Sequence, residues 1–373
     1  MILTVVVFIL TLGILIFSHE FGHFISAKKM GIKVEEFGFG FPPRIFGIKK
    51  GGTIYSLNLI PVGGFVKIYG EEQPKIGRKI KAKINKKAFY SRPIWQRALV
   101  LVMGVVMNLF LAAILLSVVH GIGVPTIIDN SSLQAMPTGR QAKNIQIQIV
   151  EVAKNSPAEM AGIKIGDAIK EIKFKDAVTG VVEVDDVQEF IAQYAGEEIT
   201  VVIQRGKEVF EKTIIPRISP PEGEGPIGIA LAKTGTISYP WYRAILEGFK
   251  TTGRLVINFI VLFYELIKNL ILRGALIGEI AGPIGIAVLT SQMTKLGFVY
   301  ILQFIAIISI NLAIINAIPF PALDGGRLLF LLIEKIKGSP VNARVERLVN
   351  SVGFALLIAL MIFVTFRDIT RLF

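Results

Sequence analysis

The sequence begins with 17 residues that carry no charged side chain and then runs into the segment His19-Glu20-Phe21-Gly22-His23. The two histidines are four residues apart, so on a helix both imidazoles lie on one face and can bind the same metal ion. Glu20 follows the first histidine, where a carboxylate can take a proton from a nearby water. Ionisable groups at membrane depth are costly and are usually functional. This stretch therefore predicts a membrane helix that carries a metal site.

The spacing is typical of zinc hydrolases, in which a four-coordinate Zn²⁺ has three protein ligands and leaves one position for water. The chain contains no cysteine, so nitrogen and oxygen atoms have to supply every ligand. The simpler interpretation is a helix end whose histidines face the lipid headgroups. We favour the metal site because the chain has only three histidines and two of them take this spacing around a glutamate.

The composition indicates a protein with several membrane spans. Hydrophobic residues make up 52% of the 373 residues and the mean hydropathy is +0.61, which excludes an ordinary soluble protein. The predicted transmembrane helices cover residues 1–27, 98–120, 299–318 and 351–367. The first of them lacks a basic start and a cleavage site and carries the candidate ligands, so we expect it to be retained and not removed as a signal peptide.

The charge distribution predicts the orientation of these spans. Residues 28–97 carry 16 Lys and Arg against 4 Asp and Glu, whereas residues 121–250 carry 14 against 17. Basic residues close to membrane helices favour the cytoplasmic side, so the first loop is expected inside and the amino terminus outside. Basic residues are not interleaved with aromatic residues as in a nucleic-acid surface, and we expect no nucleic-acid partner.

The segments between the spans differ in character. Residues 28–97 form a basic loop with three short β segments, 34–41, 53–59 and 64–69, which predict a small sheet beside the metal helix. Residues 124–233 have the hydropathy of a soluble α+β domain. Residues 240–296 combine a helix with a polar stripe, predicted to lie on the membrane surface, and an apolar loop over residues 281–290. Residues 319–350 contain a segment rich in proline and glycine followed by a cytoplasmic helix.

The third metal ligand is predicted to be Asp324. This carboxylate follows the third span and two prolines that interrupt the helix, so it has the freedom to turn back toward a neighbouring site. The alternative is a helix cap for the segment that follows. Asn316, Pro319, Pro321 and Asp324 belong to one motif, NAIPFPALDGG.

Together with HEFGH, this motif resembles the site-2 protease family of intramembrane zinc metalloproteases, in particular its bacterial RseP-like members. The resemblance extends over nearly the whole chain through GFGFPPRIF, VGGFVK, AFYSRPIWQRA and AGPIGIA. The string NSPAEMAGIKIGDAI resembles a PDZ domain, a module that binds extended peptides at a sheet edge. Many RseP-like members carry two such domains, and this chain has room for one. The family's Gly-Pro in the second span is Gly104-Val105 here.

The resemblance implies a polytopic α-helical membrane protein with four transmembrane helices, a membrane-associated β-hairpin sheet and an inserted extracytoplasmic PDZ domain. It implies one Zn²⁺ per chain, bound by His19, His23 and Asp324, with Glu20 as the catalytic base and Asn316 as a polar residue of the active site. The location would be a bacterial cytoplasmic membrane. The expected substrates are single-pass membrane proteins or remnant signal peptides, already cut outside the membrane by another protease.

A substrate helix hides its carbonyls in its own hydrogen bonds, so it has to unwind before it can be cut. The strand formed by Gly63, Gly64, Phe65, Val66 and Lys67 could receive the unwound segment. The two glycines could equally serve only to make the hairpin turn, and both roles can coexist. The alternative to an enzyme is a catalytically silent membrane adaptor with a PDZ domain, which would need no Glu20.

Overall fold

The structure, a computed structural model, describes residues 2–71, 86–127, 141–175, 177–181, 183–206, 208–221, 223–273 and 282–372. The chain divides into two compact units, Met1–Val119 with Ile245–Phe373, and His120–Ala244. Residues 72–85 of the predicted basic loop lie outside the described residues.

The first unit is mainly helical. Its elements are α1 (Ile2–Lys29), β1 (Val34–Lys50), β2 (Thr53–Ile68), a 3₁₀ turn (Phe89–Ser91), α2 (Ile94–Ile122), α5 (Trp241–Arg273), α6 (Pro283–Leu296), α7 (Phe298–Ala317), α8 (Asp324–Lys337) and α9 (Ala343–Leu372), with the ends of α2 and α5 reaching the second unit. Within the described residues, four segments are long and apolar enough to cross a membrane: Leu3–Lys29, Ile94–Ile122, Phe298–Ala317 and Ala343–Thr370. The prediction of four candidate membrane helices is therefore confirmed.

The helix α5 is not among these four candidates. It packs against α2 and α7 through Leu255, Val256 and Phe259, which contact a buried cluster that includes Ala112 and Ile310. Its exposed side retains many large apolar side chains. The surface position in the membrane that the polar stripe indicates stays a prediction.

The prediction of an apolar loop over residues 281–290 is wrong for residues 283–290, which the structure describes as part of a helix. Residues from Pro283 onward form the helix α6, with proline in its first turn. The buried Asp368 of α9 accepts hydrogen bonds from the backbone N–H groups of Gly282 and Gly285, at 3.3 and 2.8 Å. A carboxylate at a helix N-terminus satisfies free donors and complements the helix dipole, so α6 is stabilised by a distant residue.

The two strands β1 and β2 form the small sheet predicted beside the metal helix. Residues 36–39 pair with residues 64–67 on one side and with residues 54–57 on the other. Residues 46–50 pair with residues 53–57. The strands continue through Pro42, Pro43 and Pro61, so the three segments predicted over residues 34–41, 53–59 and 64–69 belong to two longer strands. The pairing register shifts at these positions, and among the described residues no strand pairs with the second side of residues 64–68.

Aromatic rings join this sheet to α1. Phe17, Phe21 and Phe24 recur at helical spacing, and their rings lie 4.6–6.3 Å from that of Phe37 on β1. Phe17 also contacts Phe39. Because this stripe faces the sheet, His19 and His23, which lie on another side of the helix, face α2 and α8.

The second unit is an antiparallel sheet with two helices. Its strands are β3 (Val124–Ile127), β4 (Gln141–Val152), β5 (Ala168–Phe174), β6 (Ala177–Gly180), β7 (Ile199–Arg205), β8 (Glu208–Ile214) and β9 (Ile229–Ser238), in the order β3-β9-β4-β5-β7-β8 with β6 on β5. The helices are α3 (Pro157–Met160) and α4 (Val184–Gln193). The core between them is rich in isoleucine.

One ion pair in this unit is largely buried. The carboxylate of Asp167 is 1% exposed and binds the guanidinium of Arg205 through two contacts of 2.6 and 2.7 Å. It also accepts the backbone N–H of Lys164. By contrast, Lys173 and Glu211 form a pair between exposed side chains on the same sheet.

We expect Arg205→Met to destabilise the second unit strongly, because Asp167 would stay buried without its partner charge. The cost should be about 3 kcal/mol, the lower end of the range for a broken buried pair, since Arg205 itself is partly exposed. Hydrogen exchange of β5 and β7 in the full-length protein measures it. The control Lys173→Met removes an exposed pair and should change nothing measurable. Equal effects of the two substitutions would contradict this account.

Candidate metal centre

Two imidazoles and one carboxylate converge on one point in the first unit. His19 Nε2 lies 3.1 Å from His23 Nε2, and Asp324 Oδ2 lies 2.9 Å from the first nitrogen and 3.2 Å from the second. The two histidines are buried and Asp324 is half-buried. The two histidines are four residues apart in the sequence, whereas Asp324 follows His23 by 301 residues. The structure brings all three groups together.

Asp324 reaches this point because the chain turns sharply after α7. Ala322 takes a positive φ of 75°, and Asp324 then begins α8. A Cβ on Gly325 would overlap the carbonyls of residues 317 and 318, and one on Gly326 would overlap the carbonyl of Phe320. The Asp-Gly-Gly sequence therefore allows α8 to begin directly against the end of α7.

The geometry of the three donor atoms fits a zinc ion. With zinc at about 2.0–2.1 Å from each ligand, tetrahedral ligands lie roughly 3.3 Å apart. The observed separations of 2.9–3.2 Å are close to this value. Asp324 Oδ2 has no hydrogen-bond partner within the described residues, and a set of two imidazoles and one carboxylate is typical of catalytic zinc. The residues present therefore fit the group.

The helix α2 supports the imidazoles from behind. His23 Nδ1 lies 2.8 Å from the carbonyl oxygen of Val100, which can only accept, so Nδ1 carries the proton and Nε2 is free to bind a metal. A Cβ on Gly104 would lie 2.5 Å from His23 Nε2 and 2.8 Å from His19 Cε1. Glycine at this position is thus needed for the rings to lie against α2.

The close contact between α1 and α2 also depends on Gly22. A Cβ there would overlap the carbonyl of Met103. The hydroxyl of Ser18 donates to the carbonyl of Met107 at 3.2 Å, one step further along the same interface. The two helices are therefore near enough for backbone groups of α2 to reach side chains of α1.

Glu20 points toward the sheet side of the same site. One of its carboxylate oxygens accepts the backbone N–H of Val66 at 3.0 Å. Because successive N–H groups of a strand alternate in direction, the N–H groups of Gly64 and Ile68 face the same way as that of Val66. Glu20 therefore contacts the side of the strand for which the sheet offers no partner.

A cavity of about 430 Å³ contains these groups. Its lining includes His19, Glu20, His23, Asn316 and Asp324, together with Phe65 and Val66 of the strand. Of the other predicted substrate-binding residues, Gly63 and Gly64 are buried in the sheet, and Lys67 forms an exposed ion pair with Glu35. The cavity therefore holds every predicted metal and catalytic residue but only part of the predicted strand.

A second cavity, of about 540 Å³, has several lining residues in common with the first, among them Glu71 and Arg327, which form an ion pair. It also contains the buried pair Arg97–Glu334, in which two nitrogens bind two oxygens at 2.5 and 3.0 Å. Charged groups thus extend from the metal centre into an adjoining polar space. The sequence analysis did not identify these residues, although Arg327 lies one helical turn after Asp324.

The imidazoles also set the charge of Asp324. Burial alone would raise the pKa of its carboxyl, but the adjoining imidazoles of His19 and His23 outweigh burial and hold the pKa below its ordinary value. The carboxylate is therefore ionised in the range in which proteins work and available as an anionic ligand.

Comparison with known proteins agrees with this chemistry. Residues 7–360 match peptidase family M50. A protein assigned as a zinc metalloprotease in Clostridium perfringens is 36% identical over 364 residues, which cover 97% of each chain. The zinc metalloprotease RasP of Shouchella clausii is 30% identical over 448 aligned positions and the regulator of sigma-W protease RasP of Bacillus subtilis 28% over 443, each with 99% of both chains covered.

The match covers the helices that carry both histidines and Asp324, and the alignments with these relatives cover at least 97% of each chain. The chain therefore belongs to peptidase family M50, the site-2 protease family, and is a multi-pass membrane zinc metalloprotease whose cofactor is Zn²⁺.

Proposed function

We propose that this protease cuts single-pass membrane proteins, in or next to their transmembrane segments, at a zinc ion held by His19, His23 and Asp324. The observation that carries the proposal is the convergence of these three donor atoms within 3.2 Å, with both histidines on a helix that is apolar enough to cross a membrane. Bound zinc supplies a water that is acidic enough to be deprotonated near neutral pH and a Lewis acid for the scissile carbonyl.

Glu20 acts as the general base and then as the general acid. Its carboxylate takes a proton from the attacking water and returns it to the nitrogen of the leaving amine. This group lines the cavity and accepts a hydrogen bond from the backbone N–H of Val66. Asn316, at the end of α7 and in the same cavity, offers an amide that can bind a substrate carbonyl and hold it in place.

The substrate binds as an extra strand along residues 64–68. A helical segment has to unwind before cleavage, and an extended backbone then needs new partners for its N–H and C=O groups. The open side of this strand offers them, next to the metal centre. Because Val66 N–H is bound to Glu20 in the structure, entry of substrate frees the Glu20 carboxylate at the moment when a base is required.

The second unit is a PDZ-type domain that screens substrates outside the membrane. The NSPAEMAGIKIGDAI string and the antiparallel sheet with open edges at β3 and β8 support this assignment. Substrates with large external domains are excluded until another protease has shortened them. The relative from Bacillus subtilis is named as a regulator of sigma-W, and we propose a membrane-tethered regulator or a remnant signal peptide as the substrate here.

The protein lies in the bacterial cytoplasmic membrane with its metal centre toward the cytoplasm. The excess of Lys and Arg in residues 28–97 supports this orientation, with the amino terminus and residues 124–233 outside. On the sheet, Ile45, Phe46 and Leu59 are large apolar side chains that are exposed in the isolated chain, which fits a hairpin in contact with lipid.

Substitution of the site residues should separate metal binding from catalysis. Asp324→Asn weakens an anionic ligand, and we expect zinc content and cleavage to fall together. Glu20→Gln should keep zinc but lower cleavage of a membrane substrate by at least 10²-fold, since a general base contributes roughly 10²–10⁴. Zinc per chain and the rate of fragment formation measure the two effects. An Asp324→Asn protein with full zinc and full activity would remove Asp324 from the site.

Proline substitution should locate the docking strand. Val66→Pro removes an open-side donor and should lower cleavage roughly 5- to 100-fold at normal zinc content, whereas Val66→Ala keeps the donor and should be milder. Lys67→Pro instead removes a donor on the side of the sheet that pairs with Glu36, so its losses should follow lower thermal stability. Normal cleavage by Val66→Pro would show that substrate does not add a strand here.

Removal of the second unit should relax substrate choice. Val124 pairs with Ile237, and Tyr239 N–H binds the carbonyl of His120, so the two ends of this unit are adjacent and a short linker can join residues 123 and 239. This deletion removes β9 completely, whereas a deletion that ended at residue 233 would leave part of β9 in the protein. We expect the shortened protein to cut substrates that retain large external domains. If it cuts only shortened substrates, the screening role is wrong.

A further inference from the structure

Two buried polar groups beside the metal centre have no partner in the part of the chain that is described. The first is Nδ1 of His19, the ring nitrogen that points away from the other ligands. The second is the side-chain amide of Asn108 on α2, whose oxygen and nitrogen are both without a hydrogen bond while the residue is completely buried. Buried polar groups without partners are rare in folded proteins, and two near one site call for a common explanation.

The backbone geometry brings these two groups to the same region. Cε1 of His19, the atom bonded to Nδ1, lies 2.8 Å from the position of a Cβ on Gly104. Asn108 follows Gly104 by one helical turn and lies on the same face of α2. Side chains on a helix lean toward its N-terminus, so the amide of Asn108 leans toward Gly104 and the ring that rests on it.

Neighbouring contacts support this placement. Ser18, next to His19, donates to the carbonyl of Met107, next to Asn108. The hydroxyl of Ser309 donates to the backbone carbonyl of Asn108 at 2.8 Å, which fixes the backbone there but leaves the side-chain amide free. Asn108 is completely buried and is not among the residues that line the cavity.

We propose that one buried water joins the Nδ1–H of His19 to the amide oxygen of Asn108, and that Asn108 in this way orients His19 as one of the proposed zinc ligands. Asn108 is then a positioning residue. It does for His19 what the carbonyl of Val100 does for His23: it keeps the proton on Nδ1 and the lone pair of Nε2 toward the metal. One helix thus fixes both imidazoles, one through its backbone and the other through a side chain.

The test is the zinc affinity of the purified full-length protein, measured by competition with a chelator. Loss of a group that hydrogen-bonds to a metal-binding histidine lowers metal affinity about 10- to 100-fold. We expect a loss of this size for Asn108→Leu, because leucine has a similar size but offers no acceptor. Asn108→Asp keeps an acceptor and should stay within about threefold of the unchanged protein. The absorption spectrum of the Co²⁺-loaded protein should change in Asn108→Leu and not in Asn108→Asp.

A matched control separates this role from packing. Thr11 on α1 is also buried in the first unit, and its hydroxyl has no hydrogen-bond partner among the described residues. Thr11→Val should leave zinc affinity and the Co²⁺ spectrum unchanged. If Asn108→Leu lowers the melting temperature of the zinc-free protein but binds zinc as before, Asn108 has a packing role and the proposal is wrong. If Asn108→Leu does not fold, Asn108→Asp provides the test. A weakened zinc affinity or an altered Co²⁺ spectrum in Asn108→Asp would then show that the proposal is wrong.

Discussion

The convergence of two neutral imidazoles and one carboxylate on a single point organises the first unit. Charge in a medium of low dielectric is costly, so a membrane site favours a ligand set that compensates the metal. Two neutral histidines and Asp324 leave a zinc centre with a net charge of about +1, which one further anion would neutralise.

The position of the small sheet follows from the same helix. The phenylalanine stripe on α1 packs against Phe37 and Phe39, and this contact determines which way the remaining faces of α1 point. Glu20 lies between the stripe and the imidazoles, so its carboxylate reaches Val66 while staying in the cavity. A single helix therefore connects the metal ligands, the proposed base and the proposed docking strand through its 3.6-residue period.

Sequence patterns of short range predicted most of the fold and the site. The four apolar segments, the HEFGH spacing and the turn residues before Asp324 are local, and each is visible without the structure. The helix α6 was missed because Gly282 and Pro283 resemble a loop, whereas its first turn is stabilised by Asp368 from 86 residues away. The supports of the imidazoles were missed for a related reason: the acceptor for His23 is a backbone carbonyl, which no residue type can indicate.

The geometry of the candidate metal centre also bears on how often the chain crosses the membrane. The histidines lie in the later part of α1, and Asp324 follows the end of α7. For these ends to meet, the two helices have to run in the same direction, which requires an odd number of crossings between them. The single crossing by α2 satisfies this, and a further crossing by α5 would bring Asp324 to the opposite face. The geometry of the site therefore supports the prediction that α5, which is not among the candidate spans, does not cross the membrane.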